Sequence, residues 1–177
     1  MVAHVTTRWH RGCRASYDPT VKKRTSRKVP TKYLGSLRGS KRTSRRAEIE
    51  ARAAEAAQYG PRRPPRSFRP FKTDEGVRTK PSSYTQRFHA RYGDDVTSLA
   101  QIARASHEDV APDVSLRTYR RALQTVFDRG LAAWATGHRP GASQTAWGYA
   151  RVHSFVLGGK TQQTADADVA RRIGAAS

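Results

Sequence analysis

Residues 115–136 read SLRTYRRALQTVFDRGLAAWAT, and their pattern decides the fold class. The large apolar residues recur at three- and four-residue intervals, at Leu116, Tyr119, Leu123, Val126, Phe127, Leu131 and Trp134. This spacing places them along one face of an α-helix. Ser115 is a suitable N-cap, and Gly137 is a typical stop signal. The stretch therefore predicts a long helix with one buried face.

Four further helices are predicted around this one, each with its own start signal. They begin at Ser82 or Ser83, at Asp94 or Asp95, at Ser143 and at Thr164. A polar loop over 106–114 is expected after the second. The helix after Ser143 carries apolar residues around most of its circumference, which is typical of a central helix. We expect a mainly α protein, with about five helices in one domain over residues 82–177.

The charge is concentrated in front of this domain. The chain holds 34 Lys and Arg against 14 Asp and Glu, a net charge of +20. Residues 1–80 contain 22 of the basic and 6 of the acidic residues. Such a segment repels itself unless a negative partner neutralises it. A basic segment ahead of a near-neutral domain is typical of nucleic-acid-binding and assembly proteins.

The basic half divides into three predicted segments. Residues 1–43 lack a sustained periodicity and are expected to form an extended basic N-terminal arm that a partner must order. Residues 44–60 are rich in Ala and predict a helix over 44–59, with Ser44 as the N-cap and Gly60 as the stop signal. Residues 61–81 alternate Pro with Arg, which predicts a stiff, extended linker.

The basic clusters are predicted to bind a polyanion, because Arg contacts phosphate bidentately and Lys acts as a point charge. The expected partner is nucleic acid, with DNA first, or the acidic surfaces of neighbouring proteins in a large assembly. The candidate residues are Lys22, Lys23, Arg24, Arg27, Lys28, Lys41, Arg42, Arg45, Arg46, Arg62, Arg63, Arg66, Arg117, Arg120, Arg121 and Arg139.

Two alternatives stay open at this point. Residues 96–105 and 115–136 resemble a helix-turn-helix pair, whose second helix would present Arg117, Arg120, Arg121 and Gln124 to a major groove. The long acidic loop between them argues against this sequence-specific regulator. A ribonucleoprotein component would use the same arm. The turn 137–142 before Ser143 either binds an anion with Arg139 or is a plain interhelical turn.

Several classes are not expected. The phosphate-binding loop, G-x-S-x-G and H-E-x-x-H are all absent, so no enzyme, cofactor or small-molecule substrate is predicted. His4, His10 and Cys13 match no metal-binding spacing, and Cys13 is expected to be a free thiol. No apolar run approaches the roughly 20 residues of a membrane span. The Arg- and Ser-rich start retains Met1, so no cleaved targeting segment is expected.

Three blocks carry a family resemblance: RGLAAW over 129–134, TGHRPGASQ over 136–144 and WGYARV over 147–152. Together they resemble small basic proteins encoded by nucleocytoplasmic large DNA viruses of algae and amoebae. Residues 32–37, KYLGSL, are similar to the family's K-Y-L-P-K-S-L, and RSF at 66–68 and FHARYG at 88–93 to its middle region. Trp134, Trp147 and Arg151 are its signature residues here. The segment 106–114 is interpreted as an insertion.

The resemblance implies a viral setting and a virion component but no catalytic mechanism. Combined with the charge, it favours a non-enzymatic structural protein, a minor capsid or core component whose arm binds packaged DNA or acidic capsid-protein surfaces. The implied location is the virion, after synthesis in the host and passage through the nucleus or a cytoplasmic virus factory.

Overall fold

The computed structural model describes residues 29–58 and 69–175, where helices and turns account for the regular structure. Its helices are α1 (Thr31–Leu34), α2 (Gly39–Gln58), α3 (Ser83–Tyr92), α4 (Leu99–Val110), α5 (Leu116–Thr136), α6 (Gln144–Val156), α7 (Lys160–Gln163) and α8 (Ala167–Arg172). One 3-10 turn, Lys72–Asp74, lies between α2 and α3. The prediction of a mainly α fold is confirmed.

The helices α5 and α6 form the centre of the fold and cross at two glycines. A Cβ atom on Gly130 would lie 2.8 Å from the Cα atom of Gly148, and one on Gly148 would lie 2.7 Å from the Phe127 ring. Real side chains do not tolerate such distances, so only glycine permits this close crossing. The glycines of the RGLAAW and WGYARV blocks therefore have a packing role.

Apolar side chains from several helices surround this crossing. The predicted stripe of α5 is buried at Tyr119, Leu123, Val126 and Trp134, whereas Leu116 is 39 % exposed, so its placement in the core was wrong. Residues 152–156 of α6 are all buried, which confirms its central position.

Burial, helped by the like charge of His89, lowers the pKa of His153 to about 4, so this ring is neutral inside the core.

The second helix was predicted to begin at Asp94 or Asp95, which was wrong. It begins after Ser98, which forms a capping box with Gln101. Ser98 Oγ accepts from the Gln101 N–H, and Gln101 Oε1 accepts from the Ser98 N–H. The helix α4 then continues to Val110, since buried Ser106 hydrogen-bonds to the Tyr119 hydroxyl. The loop expected over 106–114 is therefore only 111–115.

The last predicted helix is two short ones, α7 and α8, which begin at Lys160 and Ala167 rather than at Thr164.

The predicted arm ends earlier than residue 43. Helix α2 starts at Gly39 instead of Ser44, and residues 29–43 lie against the rest of the protein. A second small core is formed there by Val29, Leu34, Ile49 and Phe71, with Tyr33 against it. Phe71 also shows that the expected linker is folded beyond residue 69. These apolar residues come from three separate segments, so no single periodicity revealed them. Residues 1–28 and 59–68 lie outside the described part.

Candidate polyanion-binding groove

An open groove of about 450 Å³ separates α4 from the first half of α5. Its walls are lined by Ala100, Ala103, Arg104, Leu116, Arg117, Arg120, Arg121 and Gln124. The alanines of α4 are small enough to leave space beside the longer side chains of α5. Among the described residues, the lining contains four guanidinium groups and no carboxylate, which gives this part of the groove a positive potential.

These four arginines are the exposed cations of the groove. Arg117, Arg120 and Arg121 lie on one side of α5 at three- and four-residue spacing, and Arg104 faces them from α4. Within the described residues, none of the four has a carboxylate within 4.0 Å. Like charges one turn apart repel, as Arg117 and Arg121 do. An anion in the groove would relieve this repulsion.

The positive stripe of α5 stops at Asp128. Gln124, the last residue of the groove lining, donates to Asp128 Oδ1 at 3.0 Å. Asp128 lies one turn further along the same face of the helix. The groove is thus confined to roughly the first two turns of α5 and the first turns of α4.

The structure brings Arg117, Arg120 and Arg121 together as predicted for an exposed face. Arg104 belongs with them, and sequence reasoning missed it, because only the packing of α4 on α5 brings it to the groove. Arg139 is exposed at the far end of α5 in a turn in which the Ala142 N–H bonds to its carbonyl. The Ser143 side chain caps α6 there, which favours the interhelical-turn interpretation.

The other predicted cations divide into two groups. Lys41, Arg42 and Arg46 are exposed on α2. The remaining ones, Lys22, Lys23, Arg24, Arg27, Lys28, Arg62, Arg63 and Arg66, lie outside the described residues.

Arg45 was wrongly predicted to bind a polyanion, because its side chain is 0 % exposed. Its guanidinium donates to the carbonyl oxygens of Tyr33 at 3.3 Å and His138 at 2.8 Å. It also donates to Thr73 Oγ1 at 3.1 Å and Asp74 Oδ1 at 2.9 Å. Burial lowers the Arg45 pKa, and the charge of Asp74 opposes that effect. Arg45 therefore ties α2 to the 3-10 turn and to the end of α5.

Asp74 is the anionic centre of this buried network. It accepts hydrogen bonds from His138 Nε2 at 2.8 Å and from the backbone N–H groups of Phe71 and Gly141. Burial alone would raise its pKa, but these bonds and the Arg45 charge together lower it. The His138 ring is stacked between Phe71 and Trp134, with centroid distances of 4.9 and 4.2 Å.

The signature residues meet near this network and have structural roles. Trp134 Nε1 donates to the Ala142 carbonyl at 2.7 Å, and the Trp147 ring packs on Tyr33 at 5.9 Å. A Cβ atom on Gly137 would lie 2.9 Å from the Tyr33 ring. The KYLGSL, TGHRPGASQ and WGYARV blocks therefore contact one another, which their separation in the sequence conceals.

Arg151, the third signature residue, belongs to a second ion cluster. It donates to both oxygens of Asp166 at 2.8 and 2.9 Å, and Asp166 is 0 % exposed. Arg129 also donates to Asp166 and makes two bonds to Asp168. These hydrogen bonds raise the Arg129 pKa and lower that of Asp168. The cluster joins α5, α6 and α8.

A metal site and a membrane span would each leave a recognisable pattern in the described residues. No three His, Cys, Asp or Glu side chains in residues 29–58 and 69–175 cluster as metal ligands would. The candidate set His4, His10 and Cys13 lies outside these residues. Among the described helices, none has both the length and the apolar character needed to cross a membrane.

Comparison with known proteins gives one match. No curated protein and no solved structure matches the chain. A family of unknown function, DUF5824, matches residues 30–172. This range begins just before α1 and ends with α8, and it includes both the groove and the Arg45 network. The chain therefore belongs to the family of unknown function DUF5824.

Proposed function

We propose that this protein is a non-enzymatic structural component of a large DNA virus, and that it binds packaged DNA through the groove between α4 and α5. The observation that carries the proposal is a set of four exposed arginines without a carboxylate partner in the part of the chain that the structure describes: Arg104, Arg117, Arg120 and Arg121. Each can contact phosphate bidentately, and each contact releases condensed counterions from the DNA.

The composition of the groove favours the backbone of a duplex as ligand. Proteins that hold single strands stack the bases on aromatic side chains. In residues 29–58 and 69–175, no aromatic residue lines this groove. Arginines that contact phosphates carry no sequence information. We therefore expect binding to duplex DNA with little dependence on sequence.

The viral setting rests on the sequence resemblance and on the net charge of +20. A packaged genome supplies the negative charge that such a protein needs for neutralisation. In this proposal the protein reaches the virion from the host nucleus or a cytoplasmic virus factory. Its basic residues contact DNA there, or the acidic faces of neighbouring capsid proteins.

The DNA-binding part is tested by the salt dependence of duplex binding. The groove variant carries Arg104→Gln, Arg117→Gln, Arg120→Gln and Arg121→Gln. A charge-matched control carries Arg78→Gln, Lys80→Gln, Lys160→Gln and Arg171→Gln, all exposed and outside the groove. Fluorescence anisotropy with one labelled duplex, repeated over a range of salt, gives affinity and slope.

If all four groove arginines contact phosphates, the slope of log affinity against log salt falls by about 3 to 4 in the groove variant. The control variant is expected to keep a slope close to that of the wild type. Equal slopes and affinities for the groove variant and the wild type would contradict the proposal.

One observation also favours the sequence-specific helix-turn-helix alternative. The connection between α4 and α5 is 111–115, which is shorter than the predicted loop and closer to the turn of that motif. Selection from a random duplex pool separates the two functions. A regulator should enrich one sequence with a preference of several kcal/mol over bulk DNA. A structural protein should enrich none.

The location is tested separately by fractionation of purified virus particles. Mass spectrometry is expected to find the chain in the DNA-containing core or in the shell. Recovery in the shell without DNA would favour acidic capsid proteins as the partner. Its absence from the particles would contradict the structural role.

A further inference from the structure

A second basic surface lies near the C-terminal end of α5, on the first half of α2 and the residue that precedes it. We call it the α2 basic face, and it consists of Arg38, Lys41, Arg42 and Arg46. All four side chains are exposed, and within the described residues none has an ion pair. The acidic residues of α2, Glu48, Glu50 and Glu55, all follow Arg46 along the helix. The positive charge is therefore localised.

The α2 basic face is held rigidly far from the groove. Buried Arg45, which lies between Arg42 and Arg46, bonds to the His138 carbonyl just beyond the end of α5. The groove lies at the beginning of α5. An α-helix rises about 1.5 Å per residue, so the end of the groove at Gln124 and the anchor at His138 are roughly 20 Å apart along this helix.

The region between the two surfaces is close to electrically neutral. Asp128 ends the positive stripe of the groove, and the charge of Arg129 is compensated by Asp166 and Asp168. A duplex that ran along α5 from one surface to the other would meet the carboxylate of Asp128, which repels phosphate, and Asp168, whose charge is already compensated by Arg129 and Arg172. The two surfaces are thus separate sites and not one continuous track.

We propose that one molecule bridges two segments of duplex DNA, with one segment in the groove and the other on the α2 basic face. This inference rests on the proposed function, because it takes the groove as the first DNA site. Its physical basis is the fixed separation of two unpaired cationic surfaces by a neutral region. A protein of this kind would hold neighbouring segments of a packaged genome together.

Bridging is tested by capture of one duplex by another. A biotinylated duplex on beads is mixed with full-length protein and a fluorescent second duplex, and the retained fluorescence is measured. The α2 variant carries Arg38→Gln, Lys41→Gln, Arg42→Gln and Arg46→Gln. It is compared with the wild type and with the charge-matched control of the salt experiment.

Capture by the α2 variant is expected to fall at least about tenfold, because the second set of phosphate contacts is lost. The α2 variant should still bind a single duplex through the groove. Adding the four groove substitutions to the α2 variant should therefore lower its salt slope for single-duplex binding by about 3 to 4. If the α2 variant retained as much of the fluorescent second duplex as the wild type, the bridging proposal would be overturned. Capture that rises with the square of protein concentration would overturn it too, since a dimer would then form the bridge.

The two proposals fail in different ways. If the groove substitutions leave single-duplex binding unchanged, the proposed function fails. If they weaken it while capture of a second duplex by the α2 variant stays at the wild-type level, only bridging fails.

Discussion

Arg45 and Arg121 are the same residue type in the same basic chain, yet the structure uses them in opposite ways. Arg45 is fully buried, with two carbonyl oxygens, a hydroxyl and the Asp74 carboxylate around it. Arg121 lines an open groove and has no carboxylate partner in the described part. The hydrogen-bond acceptors around an arginine, and not the local density of positive charge, therefore decide whether it stabilises the fold or stays available to bind a ligand.

The largest effect on stability is expected for Arg45→Ala. This change removes the buried guanidinium that pairs with Asp74, and breaking a buried ion pair costs about 3–5 kcal/mol. The free energy of unfolding, measured by urea denaturation, should fall by this amount. Arg46→Ala is the matched control, because Arg46 is the next residue and is exposed, so a change within about 0.5 kcal/mol is expected. Equal losses in the two variants would contradict the distinction.

A smaller loss is expected for Arg151→Ala. Buried Asp166 would lose its bidentate partner but keep Arg129. Loss of hydrogen bonds to a charged group suggests about 2–3 kcal/mol. Arg171→Ala, on the exposed side of α8, provides the control in the same thermal or urea denaturation. A negligible effect of Arg151→Ala would mean that this cluster does not hold α5, α6 and α8 together.

The pH dependence of stability should report on Asp74. Its pKa is lower in the folded than in the unfolded protein, so its carboxylate stabilises the fold above the unfolded pKa. This contribution is lost as the pH falls through the folded value. Between pH 6 and pH 3 the wild type should therefore lose more stability than Asp74→Asn. The exposed Asp113→Asn serves as control and should follow the wild type.

The smallest effect on stability is expected in the groove. Arg121→Gln should change the free energy of unfolding by no more than about 0.5 kcal/mol, because no partner is lost. The same variant should lower the salt slope of duplex binding by about 0.9, the value for one phosphate contact. A destabilisation similar to that of Arg151→Ala would show that Arg121 has a structural role.

The sequence predicted the elements whose signals are local. Ser82, Ser115 and Ser143 cap α3, α5 and α6 as expected, because an N-cap side chain bonds within three residues. The exposed face with Arg117, Arg120 and Arg121 followed from the same helical periodicity. The second helix had two plausible start signals, Asp94 or Asp95 and Ser98. Only the hydrogen bonds that each N-cap can form decide which one starts the helix.

Non-local pairing explains what the sequence did not reveal. Arg45 meets Asp74 across 29 residues and His138 across 93, and nothing near Arg45 in the sequence distinguishes it from Arg46. Phe71 is buried only because α1 and α2 fold back over it. Arg104 joins the groove through the packing of α4 on α5. Helix periodicity gives the face of each residue but not the partner of that face.

Chemical modification of arginine most directly tests the claim that this chain contains two kinds of arginine. Phenylglyoxal would be applied to the wild-type protein with and without saturating duplex DNA, and the modified peptides identified by mass spectrometry. We predict modification of Arg104, Arg117, Arg120 and Arg121 in the free protein, protection of all four by DNA, and no modification of Arg45 in either sample. Equal modification of the four groove arginines with and without DNA would contradict the account.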